Sequence, residues 1–168
     1  MTLHIRLAAP TDNAAIEQIE NAADQLLIDR LTPHRWEPAP AGGSRAAEPG
    51  YILVAEETEG SAVIGFVHVL EHDQAAHMEQ LSVLPEHGRR GHGRALVEAA
   101  KNEARRRGYE CISLRTYAEV PWNGPFYARV GFVETKPVSD FHKHLAEVEE
   151  RFGLDRYGRR IQMTAALL

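Results

Sequence analysis

The chain has 168 residues, enough for one domain with a substantial core. At 43% apolar and 26% charged it has the composition of a soluble globular protein, which excludes a low-complexity or fibrous chain. With 19 basic against 24 acidic residues the net charge is -5, so the basic surplus that phosphate neutralisation demands of a nucleic-acid binder is missing. Cys111 is the only cysteine, so no internal disulfide forms and a reducing cytoplasm is the expected compartment. Its setting predicts a small buried strand residue rather than a catalytic thiol. The opening MTLHIRLAAPTD lacks a basic segment followed by a long apolar run, and no stretch is apolar enough to span a bilayer. Neither nucleic acid nor membrane is an expected partner.

In chain order, LHIRLA reads as a first strand and PTDNAAIEQIENAADQLL as a helix. Thr11 or Asp12 is the expected cap, and Ile16, Ile19, Ala23 and Leu26 or Leu27 follow helical spacing. From Thr32 to Gly50, prolines and glycines crowd one segment, which predicts a functional flap or a disordered loop, with Trp36 as an anchor. YILVAEE and AVIGFVHVL, separated by TEGS, predict a hairpin, and HMEQLSVL is a further strand stopped by Pro85. RALVEAAKNEARRRG predicts a helix with a stripe of Leu96, Val97, Ala100 and Ala104, ended by Gly108. Arg105, Arg106 and Arg107 complement the dipole at its C-terminus. ECISLRT is a strand, GPFYARV a short helix and FVETKPV another strand. DFHKHLAEVEERFG fits a late helix with Phe141, Leu145, Val148 and Phe152 on one side, and RRIQMTAAL is the last strand. With no repeats and no second domain, residues 1–168 read as one α+β domain with a largely antiparallel early sheet.

The stretch LPEHGRRGHGRALVEAA places glycines and arginines where a helix starts. The first N–H groups of a helix lack intrahelical partners and point outward at the positive end of its dipole. An anion docks there if no side chain covers the backbone. Gly91 and Gly93 clear the approach and the flanking arginines add charge, so the turn reads as a phosphate or pyrophosphate site. A nucleotide P-loop would need a Gly-Lys-Ser/Thr ending, and a dinucleotide fold would need G-x-G-x-x-G opening the first parallel unit; neither is present.

RRGHGRAL, after MEQLSVLP, resembles the acyl-CoA-binding motif of the GNAT superfamily of N-acetyltransferases, Gln/Arg-x-x-Gly-x-Gly/Ala, with Arg90, Gly93 and Ala95 in the matching positions. FYARVGF is similar to the family's second hallmark, an aromatic pair before Gly-Phe. The order of strands and helices matches the family over nearly the whole chain.

The resemblance implies a mixed, mostly antiparallel central sheet flanked by helices, with a splayed strand pair holding acyl-CoA. It implies acetyl-CoA as co-substrate and direct attack by an amine on the thioester. The main chain of Leu81, Ser82 and Val83 would pair with the pantetheine arm, as an added strand would. The backbone from Arg89 through Arg90, Gly91, His92, Gly93 and Arg94 to Ala95 would meet the pyrophosphate. Asn123 is carried over as a cofactor contact, although family members usually have this asparagine further from the tyrosine. Tyr127 occupies the position of the general acid that protonates departing CoA thiolate; unperturbed phenol and thiol pKa values lie within about 2 units.

An amine arrives protonated, so a base is needed. Glu79 is the candidate, on the strand entering the turn and in register with Leu81 and Val83 by alternation, with His77, His68 and His72 as further candidates. The histidine spacings match no metal-site pattern, so no metal is expected. Glu71, Asp73, Glu79 and Glu119 read first as the dispersed acidic residues of an acidic chain, and as the alternative a rim at the mouth of the site that draws a cationic amine, either a small molecule or a peptide. A homodimer through the late helix and last strand, and a non-catalytic acyl-CoA-binding module of the same fold, are the remaining expectations.

Overall fold

Short runs rich in apolar residues build seven strands that hydrogen-bond into one sheet, in a computed structural model that describes residues 3–168. The strands are β1 (His4–Leu7), β2 (Gly50–Glu56), β3 (Val63–His72), β4 (Ala75–Val83), β5 (Cys111–Tyr117), β6 (Val133–Thr135) and β7 (Arg160–Ala166). Five helices accompany them: α1 (Asn13–Leu31), α2 (Gly42–Ala46), α3 (His92–Arg106), α4 (Gly124–Arg129) and α5 (Asp140–Arg151). The spatial order is β1-β2-β3-β4-β5-β7-β6. Every neighbouring pair is antiparallel except β4 and β5, which run parallel. This is the mixed, mostly antiparallel α+β sheet that the sequence predicts. Among the described residues no helix is long and apolar enough to cross a membrane.

The two faces of the sheet follow from the pleat. Tyr51, Leu53, Ala55, Val67 and Val69 pack on one side with Leu96, Val97, Ala100 and Ala104 of α3. Ile52, Val54 and Phe66 pack on the other with Ile16 and Ile19 of α1. The four stripe residues of α3 are fully enclosed, and each Leu or Val of that kind contributes about 1.5–3 kcal/mol through burial. Gly108 follows the helix with φ +95°, the left-handed conformation that glycine adopts without a Cβ clash. The three C-terminal arginines are engaged locally: Arg105 with the Leu167 carbonyl, Arg106 with Glu103, and Arg107 with Glu103 and Glu71.

Several local expectations are corrected. The segment from Thr32 to Gly50 has defined structure: it packs across α1 and contains α2. Trp36 Nε1 donates to Asp24 Oδ2 at 3.3 Å, and the Ala39 amide donates to Asn21 Oδ1 at 2.9 Å. Arg45 is buried and grips both oxygens of buried Glu20 at 2.9 Å, while its third nitrogen lies 3.0 Å from Nδ1 of His68. Asp12 does not cap α1 through its side chain; it accepts from the Ala9 amide at 2.7 Å and from Arg6 at 2.8 and 3.0 Å. β3 and β4 are longer than the apolar runs suggest, because Asp73 and Gln74 turn between them at φ +48° and +61° without any glycine. Cys111 is exposed, not buried, because Ile112 takes the inward position at that end of β5. Phe152 lies just past α5 and is 71% exposed, so it does not extend that helix's packed side. Instead α5 is tied to the sheet by Glu149, 3.0 Å from Arg115 of β5 and 2.8 Å from Arg160 of β7.

The buried Arg45–Glu20 pair yields a stability prediction. Truncation of one partner leaves the other as an uncompensated charge. Arg45→Ala is expected to lower urea-unfolding stability by about 3–5 kcal/mol, and the double variant Glu20→Met/Arg45→Met to lower it by less than the single change. A double variant no more stable than Arg45→Ala would refute this account.

Candidate functional site

The site begins with one extra residue in a strand. Along β3 and β4 the register runs His68↔Gln80 and then Val69↔Met78, so Glu79 has no partner and forms a β-bulge. On its other edge β4 pairs with β5 at Ala76↔Ile112, His77↔Ser113 and Met78↔Leu114, and pairing stops there although β5 continues to Tyr117. Beyond the bulge the edge of β4 faces a cavity of about 650 Å³ lined by Gln80, Leu81, Ser82 and Val83. The bulge also breaks the alternation expected of Glu79. Leu81 and Val83 pack into the α3-side core, whereas the Glu79 carboxylate stands 3.8 Å from Nε2 of His77, so Glu79 is not in register with Leu81 and Val83.

The far wall of the cavity is the glycine–arginine turn. Gly91 is the N-cap of α3 at φ +80°, and a Cβ there would meet no atom within 4 Å. Arg89 also adopts a left-handed conformation, at φ +59°, which is uncommon for a residue with a Cβ. The Ala95 amide is already bonded to the Gly91 carbonyl at 3.0 Å. The unpaired amides of the first helical turn therefore precede Ala95. Arg89, Gly91, His92, Gly93 and Arg94 line the cavity. Arg90 and Ala95 are not in the lining, and Arg90 Nη1 lies 3.9 Å from a Glu57 oxygen.

Helix α4 supplies the third wall, with Asn123, Phe126 and Tyr127. Its start is held against the end of β5: a Cβ on Gly124 would come 2.4 Å from the Ala118 carbonyl oxygen, so only glycine fits that approach. Tyr127 stands edge-on to Phe126 and Phe132, with ring centroids at 5.1 and 5.7 Å. Burial raises its phenol pKa above the ordinary value, against a small opposing effect of Arg160. The ring therefore holds its proton across the neutral range.

Adjacent titratable groups are pushed in opposite directions by the same burial, because burial penalises whichever form is charged. Glu79 keeps 37% of its side chain accessible, but its surroundings exclude much of the water. Burial pushes its carboxyl up to about 7; Arg45 opposes the rise, and Glu48, Glu149 and Glu20 add to it. His77 is 2% exposed, sits 2.8 Å from the Ser113 hydroxyl and is pushed down to about 3, chiefly by burial and then by His142 and Arg115. His68 is fully buried, faces Arg45 and is pushed down to about 4 by burial and by that guanidinium. Both histidines are neutral at pH 7. His72 is exposed beside Asp73 at the distant hairpin turn.

The four acidic residues do not form a rim around the cavity, in keeping with the dispersed reading. Glu71 is engaged by Arg107 and by the Tyr109 hydroxyl, Asp73 lies in the β3–β4 turn, and neither Glu79 nor Glu119 is in the lining. The carboxylate in the lining is Asp24, which helical spacing on α1 did not single out; Ala23, Leu26 and Leu27 of the same helix line the cavity beside it. Tertiary structure also gathers Glu57, His87 and His92, whose ligand atoms lie within 4.8 Å of one another. Within that group His87 Nδ1 is 2.5 Å from Glu57 Oε1, an ion-pair geometry.

The acetyltransferase (GNAT) domain family matches residues 48–134 of the chain. The fold is similar to the ribosomal-protein-S18-alanine N-acetyltransferase of Escherichia coli, at 22% identity and TM-score 0.70, over 99% of this chain and 94% of that one. It is similar to the PaiA N-acetyltransferase of Thermoplasma acidophilum in complex with coenzyme A, at 16% identity and TM-score 0.66, over 99% of both chains. A GNAT family acetyltransferase of Brucella melitensis in complex with acetyl-CoA matches at 24% identity and TM-score 0.59, over 79% of this chain and 83% of that one.

The opposed shifts are directly measurable. In an NMR titration one glutamate carboxyl is expected to titrate near 7 and to vanish in Glu79→Gln, while the His77 and His68 rings stay neutral from pH 8 to 5. A Glu79 midpoint in the ordinary carboxylate range would contradict the burial argument.

Proposed function

The chain belongs to the GNAT acetyltransferase family, and from that premise we propose that it moves an acetyl group from acetyl-CoA to an amine by direct attack on the thioester. The observation that carries this reading is the early end of β4–β5 pairing at Met78, which opens a strand edge onto a cavity bounded by the bare first turn of α3. The pantetheine amides pair with the main chain of Leu81, Ser82 and Val83 as an added strand would. The diphosphate accepts from the amides of Gly91, His92, Gly93 and Arg94, where the dipole of a 15-residue helix and the charges of Arg89 and Arg94 favour an anion. Gly91 and Gly93 carry no Cβ to block the approach. Asn123 adds a polar contact from the α4 wall.

The thioester then lies beside Tyr127. The acceptor nitrogen must lose a proton before it attacks the thioester carbon. Glu79, raised to about 7, is matched to that task near neutral pH. It stands one residue outside the lining, next to Gln80, so the proton passes through a water. The C–N bond forms, the C–S bond breaks, and the Tyr127 hydroxyl gives its proton to the leaving thiolate. The phenoxide regains a proton from solvent. Burial serves this step by keeping the phenol protonated at the start.

Three measurements test the proposal. Tyr127→Phe is expected to lower turnover about 100-fold while acetyl-CoA affinity changes by less than about twofold, and unchanged turnover would remove Tyr127 from the mechanism. The wild-type rate is expected to rise with pH through about 7 as Glu79 ionises, since only the carboxylate accepts a proton, and Glu79→Gln is expected to lose that inflection. Identical pH profiles would clear Glu79. A panel of amines, with free thiol release as the signal, separates an enzyme from a non-catalytic acyl-CoA-binding module, which would bind acetyl-CoA and turn over none of them.

A further inference from the structure

The cavity is electrically divided. Three arginines, Arg89, Arg94 and Arg129, occupy its lining from the α3 turn and α4, whereas the α1 wall contributes one carboxylate, Asp24. That carboxylate is uncommitted. Its hydrogen-bond partner among the described residues is the neutral indole N–H of Trp36 at 3.3 Å, and no described cation forms an ion pair with it. The nearest candidate, Arg45, already spends both faces of its guanidinium on Glu20 and His68. Asp24 is half-buried, and burial, reinforced by Glu20, pushes its carboxyl up to about 6 against the opposing effects of Trp36 and Arg45. At pH 7 it is still mostly ionised. A partly desolvated charge without a counter-ion is costly, and a ligand cation relieves that cost.

We propose that the acceptor carries a second cationic group, which Asp24 binds while the other nitrogen reacts. This rests on the acetyl-transfer reading above. The cation held by Asp24 is not the reacting amine, for a chemical reason. An ammonium paired with a carboxylate keeps its proton more firmly, which opposes the deprotonation that attack requires. Two carboxylates thus take two roles: Asp24 anchors an ammonium that keeps its proton and Glu79 receives a proton. Beside the anchor on the same helix, Ala23, Leu26 and Leu27 line the cavity and offer an apolar surface on which a methylene spacer can lie, and Leu26 is 45% exposed. The acceptor class is therefore a diamine or polyamine, or a larger molecule presenting two amines on an alkyl spacer. Cationic acceptor and anionic donor thus use different charged groups of the lining, so neither competes for the other's charges.

The test compares butane-1,4-diamine with butylamine, which share a carbon chain and differ by one cation. The wild type is expected to prefer the diamine at least about tenfold in kcat/KM, mostly through KM, with the preference shrinking at high salt because the pair is solvent-accessible. Asp24→Asn is expected to collapse the ratio towards one and Asp24→Glu to retain most of it. Equal kcat/KM values in the wild type, or an undiminished ratio in Asp24→Asn, would overturn the proposal. If Asp24→Asn does not fold, the wild-type ratio still decides. Calorimetry with the two amines on CoA-loaded protein separates the layers. Diamine binding to the CoA-loaded protein that depends on Asp24, together with no thiol release from acetyl-CoA in the kinetic assay with either amine or the wider amine panel, supports the cation site and refutes the transfer reading. Acetylation of both amines with equal affinity supports the transfer reading and refutes the cation site.

Discussion

The insertion of one unpaired residue, Glu79, into β4 is the constraint on which the rest of the structure depends. A strand that kept its register would continue to pair with β5 beyond Met78, and the sheet would close over the space that now forms the cavity. The bulge instead turns the strand so that four residues, Gln80 to Val83, remain bonded to β3 on one edge and open on the other. Unsatisfied backbone groups at such an edge demand a partner or water. In this fold the open edge, the bare amides of α3 and the aromatic face of α4 converge on one volume, the volume in which the proposed acetyl-CoA would lie.

The same bulge sorts the titratable groups. His77, just before it, is sealed between β5 and α5 and stays neutral with its ring beside Ser113 and Phe141. Glu79, within it, reaches water and is held near neutrality in its titration. Two side chains two positions apart thus have environments that differ by more than strand alternation allows. Away from the bulge, ionic clamps set the walls: Arg45–Glu20 fixes the long connection against α1, and Glu149 fixes α5 against β5 and β7. In the second clamp burial alone would raise the Glu149 carboxyl, but the hydrogen bonds and charge of Arg160, with the charge of Arg115, outweigh it and hold that carboxyl below the usual range.

Much of this was legible in residues close together in the chain. The stripe of α3, the hairpin of β2 and β3, Gly108 after α3 and the glycine-cleared start of α3 depend on local spacing, and each stands where the spacing predicts. The failures share a cause. The Asp73–Gln74 turn lacks a glycine to mark it, so the apolar runs understate the lengths of β3 and β4. Arg45 and Glu20 are 25 residues apart, and nothing local shows that a proline- and glycine-rich segment is pinned by an ion pair. The bulge is visible only against the register of the partner strand.

From its sequence alone the chain determined its layered α+β architecture and the glycine-cleared start of α3, because periodicity, capping and backbone access are properties of neighbours in the chain. Only tertiary structure decided which of 24 acidic side chains face the cavity, which histidines are sealed and neutral, and where β4 leaves β5. Those outcomes depend on distances between elements and on the water excluded between them, and neither quantity is written in the order of residues.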